Sequence, residues 1–160
     1  MNIKTRILIV DDEEVVRLSF MRVLAATHCE VQAVAAWSQI AQDTQVEPFD
    51  VVLLDLRMPD TDGITVLKAV KQRWPESEVI VITGYGTLDS AKQAMVLGAY
   101  DYLIKPVGPE QVIDACSAAL QHKRWALHNE TCPGHEVSRR EILLKLRLGC
   151  RSTRSFKEPS

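Results

Sequence analysis

The chain has 160 residues, of which 46% are apolar and 25% charged, and its formal net charge at pH 7 is −2. This composition is typical of one globular domain with a few dozen additional residues, and it excludes two full domains or a chain built around membrane spans. Residues 1–120 hold 10 Lys and Arg against 17 Asp and Glu, whereas residues 121–160 hold 9 against 4, so an acidic globular part precedes a basic tail.

The N-terminus and the cysteines indicate a cytoplasmic protein. The first apolar run turns acidic after four apolar residues, which is too short for a signal peptide, and no run approaches the roughly 18 residues of a membrane span. The four cysteines show no CxxC spacing and are expected to be free thiols in a reducing compartment. They are Cys29, Cys116, Cys132 and Cys150.

Five short apolar runs predict strands. They are RILIV (6–10), the weaker CEVQAV (29–34), DVVLLD (50–55), EVIVIT (78–83) and DYLIK (101–105). The four stronger runs are continuous rather than alternating, which is typical of parallel strands buried on both faces.

The segments that follow the strands have apolar residues at helical spacing. The predicted helices contain Val16, Phe20, Val23 and Leu24; Ile40 in a short stretch near 38–45; Ile64, Leu67 and Val70; Ala91, Ala94 and Met95; and Val112, Ile113, Cys116 and Leu120. Five strands alternating with five helices predict an α/β fold with a doubly wound parallel sheet, in the flavodoxin-like order 2-1-3-4-5.

This topology predicts the site at the carboxyl ends of the strands. The residues there are Asp11 and Asp12 after the first strand, Asp55 ending the third, Thr83 and Gly84 after the fourth, and Lys105 and Pro106 after the fifth. Three gathered carboxylates repel one another unless a cation neutralises them, and without His or Cys at these positions Mg²⁺ fits best. Lys105 and Thr83 suit phosphoryl oxygens, and Gly84 leaves room. Asp55 would be the nucleophile of a phosphoryl-acceptor pocket.

Four motifs contain these residues. They are the acidic pair after ILIV, LLDLRMPDTDG around Asp55, ITGYG with Thr83, and YDYLIKP with Lys105. Together they resemble the response-regulator receiver domain of two-component signalling. The resemblance covers about residues 4–124, and residues 83–106 are most similar to receivers of nitrogen-regulation-type transcription activators. Those receivers precede ATPase domains, for which this sequence has no room, so a stand-alone or truncated receiver is expected.

The resemblance implies a role for each matched residue. It implies that Asp55 is the phospho-acceptor and that Asp12, with Asp11, positions Mg²⁺, for which the backbone carbonyl of Arg57 is a further ligand. It implies that Thr83 and Lys105 are the switch and phosphate-binding residues and that Tyr102 is the switch aromatic. It also implies a cis bond between Lys105 and Pro106. Arg57 and Tyr85 would flank the pocket entrance. Alternatives remain for single residues: the acidic pair as a solvated loop or helix cap, Asp55 as a cap after the third strand, and Tyr102 as a core aromatic. For the whole set, the alternative is a receiver that has lost phosphorylation.

The loop after Asp55 has predicted structural roles. Pro59 would fix a turn, Asp62 would cap the next helix, and Gly63 would permit an unusual backbone angle.

The tail, residues 125–160, is expected to be helical in part or disordered. The fifth helix should run from near Glu110 past His122, to about Asn129, before Pro133 and Gly134 stop it. A short helix at 139–148 follows Ser138, with a capping box to Glu141. The tail can dock on the domain, pack in a dimer or stay disordered. A zinc site of His128, Cys132, His135 and Cys150 matches no strong spacing pattern.

The sequence therefore predicts a phosphorylation-driven switch rather than an enzyme that acts on others. By resemblance its partners are a histidine kinase or phosphotransfer protein, and a downstream protein or second copy at the face of the fourth helix, fifth strand and fifth helix. The alternative is a DNA-binding regulator that uses the basic tail, although some 25 residues are too few for a DNA-binding domain with its own core.

Overall fold

The apolar runs form a central parallel sheet in a computed structural model, which describes residues 4–130. Its strands are β1 (Arg6–Val10), β2 (Glu30–Val34), β3 (Val51–Leu54), β6 (Glu78–Thr83) and β7 (Ala99–Ile104), and the short strands β4 (Arg57–Met58) and β5 (Thr61–Asp62) form a separate hairpin. The five-stranded sheet has the order β2-β1-β3-β6-β7. Since the hairpin lies outside the sheet, the predicted order 2-1-3-4-5 is confirmed.

Helices cover both faces of the sheet. They are α1 (Glu14–Ala25), α2 (Ser38–Ala41), α3 (Gly63–Arg73), α4 (Leu88–Val96) and α5 (Pro109–Glu130). Core residues of α1 and α5 pack in one apolar cluster, and those of α2, α3 and α4 pack in another on the opposite side. The strands are apolar at consecutive positions because both of their faces are buried, as β3 shows with all four residues buried.

Helix α2 is shorter than the stretch 38–45 that the sequence predicts. The guanidinium of Arg73, on α3, donates to the carbonyl oxygens of Ile40 at 2.8 Å and Ala41 at 3.2 Å, and also to that of Asp43. The Asp43 carboxylate accepts a bond from the amide of Gln45, which closes a turn. These contacts satisfy the carbonyls at the end of the helix from outside, so the chain leaves the helix after one turn.

The loop between β3 and α3 is more ordered than the sequence indicates. Its hairpin, β4 and β5, turns at Pro59 and Asp60. Asp62 caps α3 as predicted, since its carboxylate accepts a bond from the amide of Ile64 at 3.3 Å. The prediction of an unusual backbone angle at Gly63 is wrong, because Gly98 has the one positive φ among the glycines of residues 4–130.

Gly63 is required for close approach instead. A Cβ atom at this position would overlap the Cα atom of Leu56 and would lie 2.7 Å from its carbonyl oxygen. The absence of a side chain at Gly63 therefore lets α3 begin directly against the backbone that follows Asp55.

Helix α5 extends past the domain core as predicted. In its second half, the ring Nδ1 atom of His122 lies 2.8 Å from Glu78, and Lys123 forms an ion pair with Asp50 at 2.7 Å. Both contacts fasten the helix to the amino ends of the strands, opposite the predicted site.

The remaining predictions for the tail lie mostly outside the described residues. Within the described residues, the chain up to Ala126 forms one compact unit. The predicted helix at 139–148 and three of the four zinc candidates fall outside residues 4–130, so the zinc site and the DNA-binding alternative stay predictions. Cys29 and Cys116 are free thiols. Within residues 4–130, no helix is long and apolar enough to cross a membrane.

Candidate functional site: an acidic cluster at the carboxyl edge of the sheet

The backbone ladder places the predicted residues at one edge of the sheet. The pairing continues one residue beyond the strands: the amide of Asp11 donates to Val34, and that of Asp55 donates to Val10 at 3.0 Å. In the same way the amide of Lys105 donates to the carbonyl of Thr83 at 2.9 Å. Each of these side chains therefore starts from a backbone position that the sheet itself defines.

Three carboxylates meet at this edge. One oxygen atom from each of Asp11, Asp12 and Asp55 lies within 4.8 Å of the other two. Asp11 and Asp55 are buried, with 3% and 4% of their surface exposed, whereas Asp12 faces solvent. Two of the carboxylates have thus lost most of their hydration and depend on protein partners or a bound cation.

Lys105 is the cation of this cluster. Its Nζ atom donates to Asp11 at 2.8 Å, to Asp55 at 3.1 Å and to the more exposed Glu13 at 3.1 Å. Burial lowers the pKa of Lys105, but the hydrogen bonds that Lys105 donates to Asp11 and Asp55 outweigh this effect, so that the pKa is raised above its usual value. Lys105 therefore stays charged.

One ammonium group does not balance the carboxylates. Burial raises the pKa of Asp11, and the bonds from Lys105 and from the amide of Glu13 do not cancel this effect. The opposite charge of Lys105 is shared among three carboxylates, while the carboxylate of Asp55 repels that of Asp11. Negative charge thus exceeds positive charge in the cluster, which favours the binding of a further cation.

The donor atoms of the cluster fit Mg²⁺. They are carboxylate oxygens from residues of a single type, and at least one of them, from Asp12, is open to solvent. Hard divalent cations prefer such ligands, and Mg²⁺ usually keeps several waters beside one or two carboxylates. Arg57 is close, because its amide donates to Asp55 Oδ1 at 3.0 Å. The predicted role of its carbonyl as a ligand stays a prediction.

Thr83 and Gly84 border the cluster. Thr83 is fully buried, and its hydroxyl oxygen accepts a long bond from the amide of Tyr85 at 3.4 Å. At Gly84 the nearest atom to a Cβ would be the Lys105 Cδ atom, 4.0 Å away. The space that the sequence predicts beside Gly84 is therefore present.

Arg57 and Tyr85 contact each other directly. The guanidinium carbon of Arg57 lies 4.5 Å from the centroid of the Tyr85 ring, and Tyr85 is 69% exposed. Cation–π contacts of this kind hold two mobile side chains together at the surface. The sequence predicts both residues near the entrance but contains no signal for their contact.

Tyr102 is half-buried, and its role as a switch aromatic stays a prediction. Its ring packs against the core, and its hydroxyl lies 2.7 Å from the hydroxyl of Ser90. Ser90 also completes a capping box with Thr87 at the start of α4. The link from Tyr102 to the first turn of α4 was not predicted.

Glu13 and Arg17 are further site residues that the sequence reasoning missed. Glu13 is the third carboxylate bound to Lys105, and the Nη1 atom of Arg17 donates to the backbone carbonyls of Asp11 and Asp12. Charged residues at the start of a helix are common, so the sequence does not single out these two. Only their contacts in the structure identify them as site residues.

Replacing Lys105 by Met should destabilise the protein by about 2 kcal/mol at pH 7. Removing one partner of a buried ion pair costs more, about 3–5 kcal/mol, but Lys105 and Glu13 reach solvent. The loss should shrink as the pH is lowered, because the folded variant lacks the bond from Lys105 that lowers the pKa of Asp11 and therefore takes up a proton there more readily than the folded wild type does. Urea unfolding followed by the fluorescence of the buried Trp74 measures both effects.

Lys123→Met is the matched control. Its partner Asp50 is 29% exposed, so this pair should be worth less than about 1 kcal/mol. Equal losses in the two variants, independent of pH, would contradict a special role of Lys105 in the acidic cluster.

Known proteins with related sequences and structures share this fold. Residues 7–117 match the family described as response regulator receiver domain. The response regulator protein PilR of Pseudomonas aeruginosa is 34% identical over 118 residues, which are 74% of this chain and 26% of PilR. The regulatory protein AtoC of Escherichia coli is 38% identical over an alignment of 120 residues that covers 72% of this chain and 25% of AtoC. The chain thus spans about a quarter of the length of these curated relatives.

Two solved structures cover the receiver part. The beryllofluoride-activated NtrC4 receiver domain dimer is 33% identical, with a TM-score of 0.69, over 74% of this chain and 98% of that one. A CheY-like receiver domain protein from Methanospirillum hungatei is 27% identical, with a TM-score of 0.71, over 77% of this chain and 98% of that one. The chain therefore belongs to the response regulator receiver domain family.

Proposed function

We propose that the protein is a phosphorylation-activated switch whose Asp55 accepts a phosphoryl group from a histidine kinase or phosphotransfer protein. The observation that carries this proposal is the bridge from the Lys105 ammonium group to the two buried carboxylates, Asp11 and Asp55. A buried acidic cluster with one movable ammonium group is suited to receive a doubly negative phosphoryl group, because the ammonium group can pair with the carboxylates before the transfer and with the phosphoryl oxygens after it.

In the reaction, the phosphoryl group passes from the imidazole nitrogen of the donor to the carboxylate of Asp55. A carboxylate oxygen of Asp55 forms a bond to phosphorus, and the bond from phosphorus to the donor's imidazole nitrogen breaks, so that the nitrogen keeps the electron pair. The amide of Arg57 holds Asp55 Oδ1 and thereby orients the attacking carboxylate. The ammonium group of Lys105 and the hydroxyl of Thr83 are placed to donate to phosphoryl oxygens.

Mg²⁺ fits this site and would be held by Asp11, Asp12, Asp55 and, by family resemblance, the carbonyl of Arg57. When bound, it neutralises negative charge on the phosphoryl oxygens. We propose a switch that changes its own phosphorylation state and not an enzyme with a separate substrate.

Phosphorylation by a small acyl phosphate tests the proposal. The full chain is incubated with acetyl phosphate and Mg²⁺, and its intact mass is measured. We expect one phosphoryl adduct, absent when EDTA removes the metal ion, and lost on treatment with hydroxylamine because that reagent cleaves acyl phosphates. No adduct, or one that forms equally in EDTA, would overturn the proposal.

The face of α4, β7 and α5 supports a proposed contact with a second copy or a downstream protein. Leu88, Val96 and Ile104 are exposed on these elements by 71%, 86% and 58%. Addition of beryllofluoride with Mg²⁺ should shift the protein towards a dimer in sedimentation velocity, and Val96→Glu should reduce that shift because it places a charge in the apolar contact. Val15→Glu is the control, because Val15 is a similarly exposed valine on α1 and therefore lies outside this face. An equal reduction by both variants would argue against this face.

A further inference from the structure

Arg17 binds the backbone of the two acidic residues that follow β1. Its Nη1 atom donates to the carbonyl oxygen of Asp11 at 2.7 Å and to that of Asp12 at 2.8 Å. Arg17 is half-buried in the first turn of α1, whose N-cap residue, Glu13, makes no side-chain cap bond. The arginine therefore fixes the chain at the entry to the helix, but it binds the carbonyls of residues before the cap and not the free amides of the first turn.

Asp12 depends on this backbone contact for its orientation. The carboxylate of Asp11 is held by Lys105 and by the amide of Glu13, at 2.8 and 2.9 Å. The carboxylate of Asp12 is exposed and, among the residues that the structure describes, forms no hydrogen bond or ion pair. What directs it towards the cluster is its peptide group, whose carbonyl is bound by Arg17.

We infer that Arg17 is a positioning residue for the divalent cation at the acidic cluster. This inference rests on the proposed function, because it takes Asp11 and Asp12 as ligands of Mg²⁺. Two effects of Arg17 oppose each other: its positive charge repels the cation, whereas its bonds hold the ligands in place before the cation arrives. Bonds of a charged donor at 2.7 and 2.8 Å are strong, and the repulsion acts through solvent near the exposed Asp12. The positioning of the ligands by Arg17 therefore outweighs its repulsion of the cation.

Calorimetric titration of the full chain with Mg²⁺ measures the effect. Arg17→Met removes the charge and the donors, and we expect it to raise the Kd for Mg²⁺ roughly tenfold, as losses of outer partners of metal ligands commonly do. Arg17→Lys keeps the charge on a side chain of shorter reach that ends in an ammonium group, and it should also raise the Kd, by a smaller factor. Arg22→Met is the control, because Arg22 is exposed on the same helix and its loss changes the net charge equally.

The three variants separate positioning from charge. Weaker binding in Arg17→Lys supports positioning, since the charge is unchanged, and this variant decides the question if Arg17→Met does not fold. Arg17→Lys with the Kd of the wild type, or Arg17→Met with an equal or lower Kd, would overturn the inference. If the wild type accepts a phosphoryl group while the Arg17 variants bind Mg²⁺ normally, only the inference fails; if the wild type accepts none, the proposed function fails.

Discussion

Replacing Asp55 by Asn should abolish the phosphoryl adduct without unfolding the protein. The amide has the size and shape of the carboxylate but no nucleophilic oxygen, so that no acyl phosphate can form. Lys105 keeps its 2.8 Å contact with Asp11, and one negative charge leaves a cluster in which carboxylates repel each other. The free energy of unfolding should therefore change by less than about 1 kcal/mol in either direction.

Intact mass after incubation with acetyl phosphate and Mg²⁺ checks the loss of the adduct, and urea unfolding checks the fold. Asp60→Asn is the matched control, because Asp60 is an exposed aspartate in the turn of the nearby hairpin. It should carry the adduct of the wild type. An adduct of the same mass on Asp55→Asn would place the acceptor at another residue.

Replacing Gly63 by Ala should destabilise the protein by about 3 kcal/mol, at the upper end of what overpacking usually costs. The added Cβ atom would overlap the Leu56 Cα atom and would lie 2.8 Å from the carbonyl oxygen of Asp55. These are backbone atoms, which cannot rotate away as a side chain can. The first turn of α3 or the segment after Asp55 has to move, and the second movement would also slow phosphorylation because it displaces the acceptor.

Gly84→Ala provides the comparison for stability. The chemical change is the same, and neither glycine has a positive φ, but the new Cβ atom at Gly84 would have its nearest neighbour 4.0 Å away. Its free energy of unfolding should stay within about 0.5 kcal/mol of the wild type. Urea unfolding of both variants measures the difference, and equal stabilities would show that the contact of α3 with residues 55 and 56 is not tight.

The strands and the order of the sheet could be predicted because they depend on short-range patterns. Runs such as VVLL must be buried on both faces, and alternation with helical spacing leaves few topologies. The prediction for α2 failed where Arg73 reaches across from α3 to bind the carbonyls of Ile40 and Ala41. The hairpin after Asp55 was missed because strands of two residues leave no periodicity to detect.

The candidate site also has features that could be predicted from the sequence and features that could not. The carboxyl ends of parallel strands lie at one edge whatever the details of packing, so Asp11, Asp55, Thr83 and Lys105 could be brought together from the sequence alone. Other features depend on atoms of one element meeting the backbone or side chains of another. They are the bonds of Arg17 to the carbonyls of residues 11 and 12, the hydroxyl contact of Ser90 with Tyr102, and the close approach at Gly63.

By itself, then, the sequence determined which apolar runs form the five-stranded sheet, the order of those strands and which side chains follow them, because hydrophobic periodicity and chain connectivity are local properties. Only the tertiary structure decided which groups share Lys105, which residue holds the peptide groups of Asp11 and Asp12, and why residue 63 has no side chain. Those contacts require distances between atoms to be right within a few tenths of an ångström. Residue types and spacings along a chain do not carry that information.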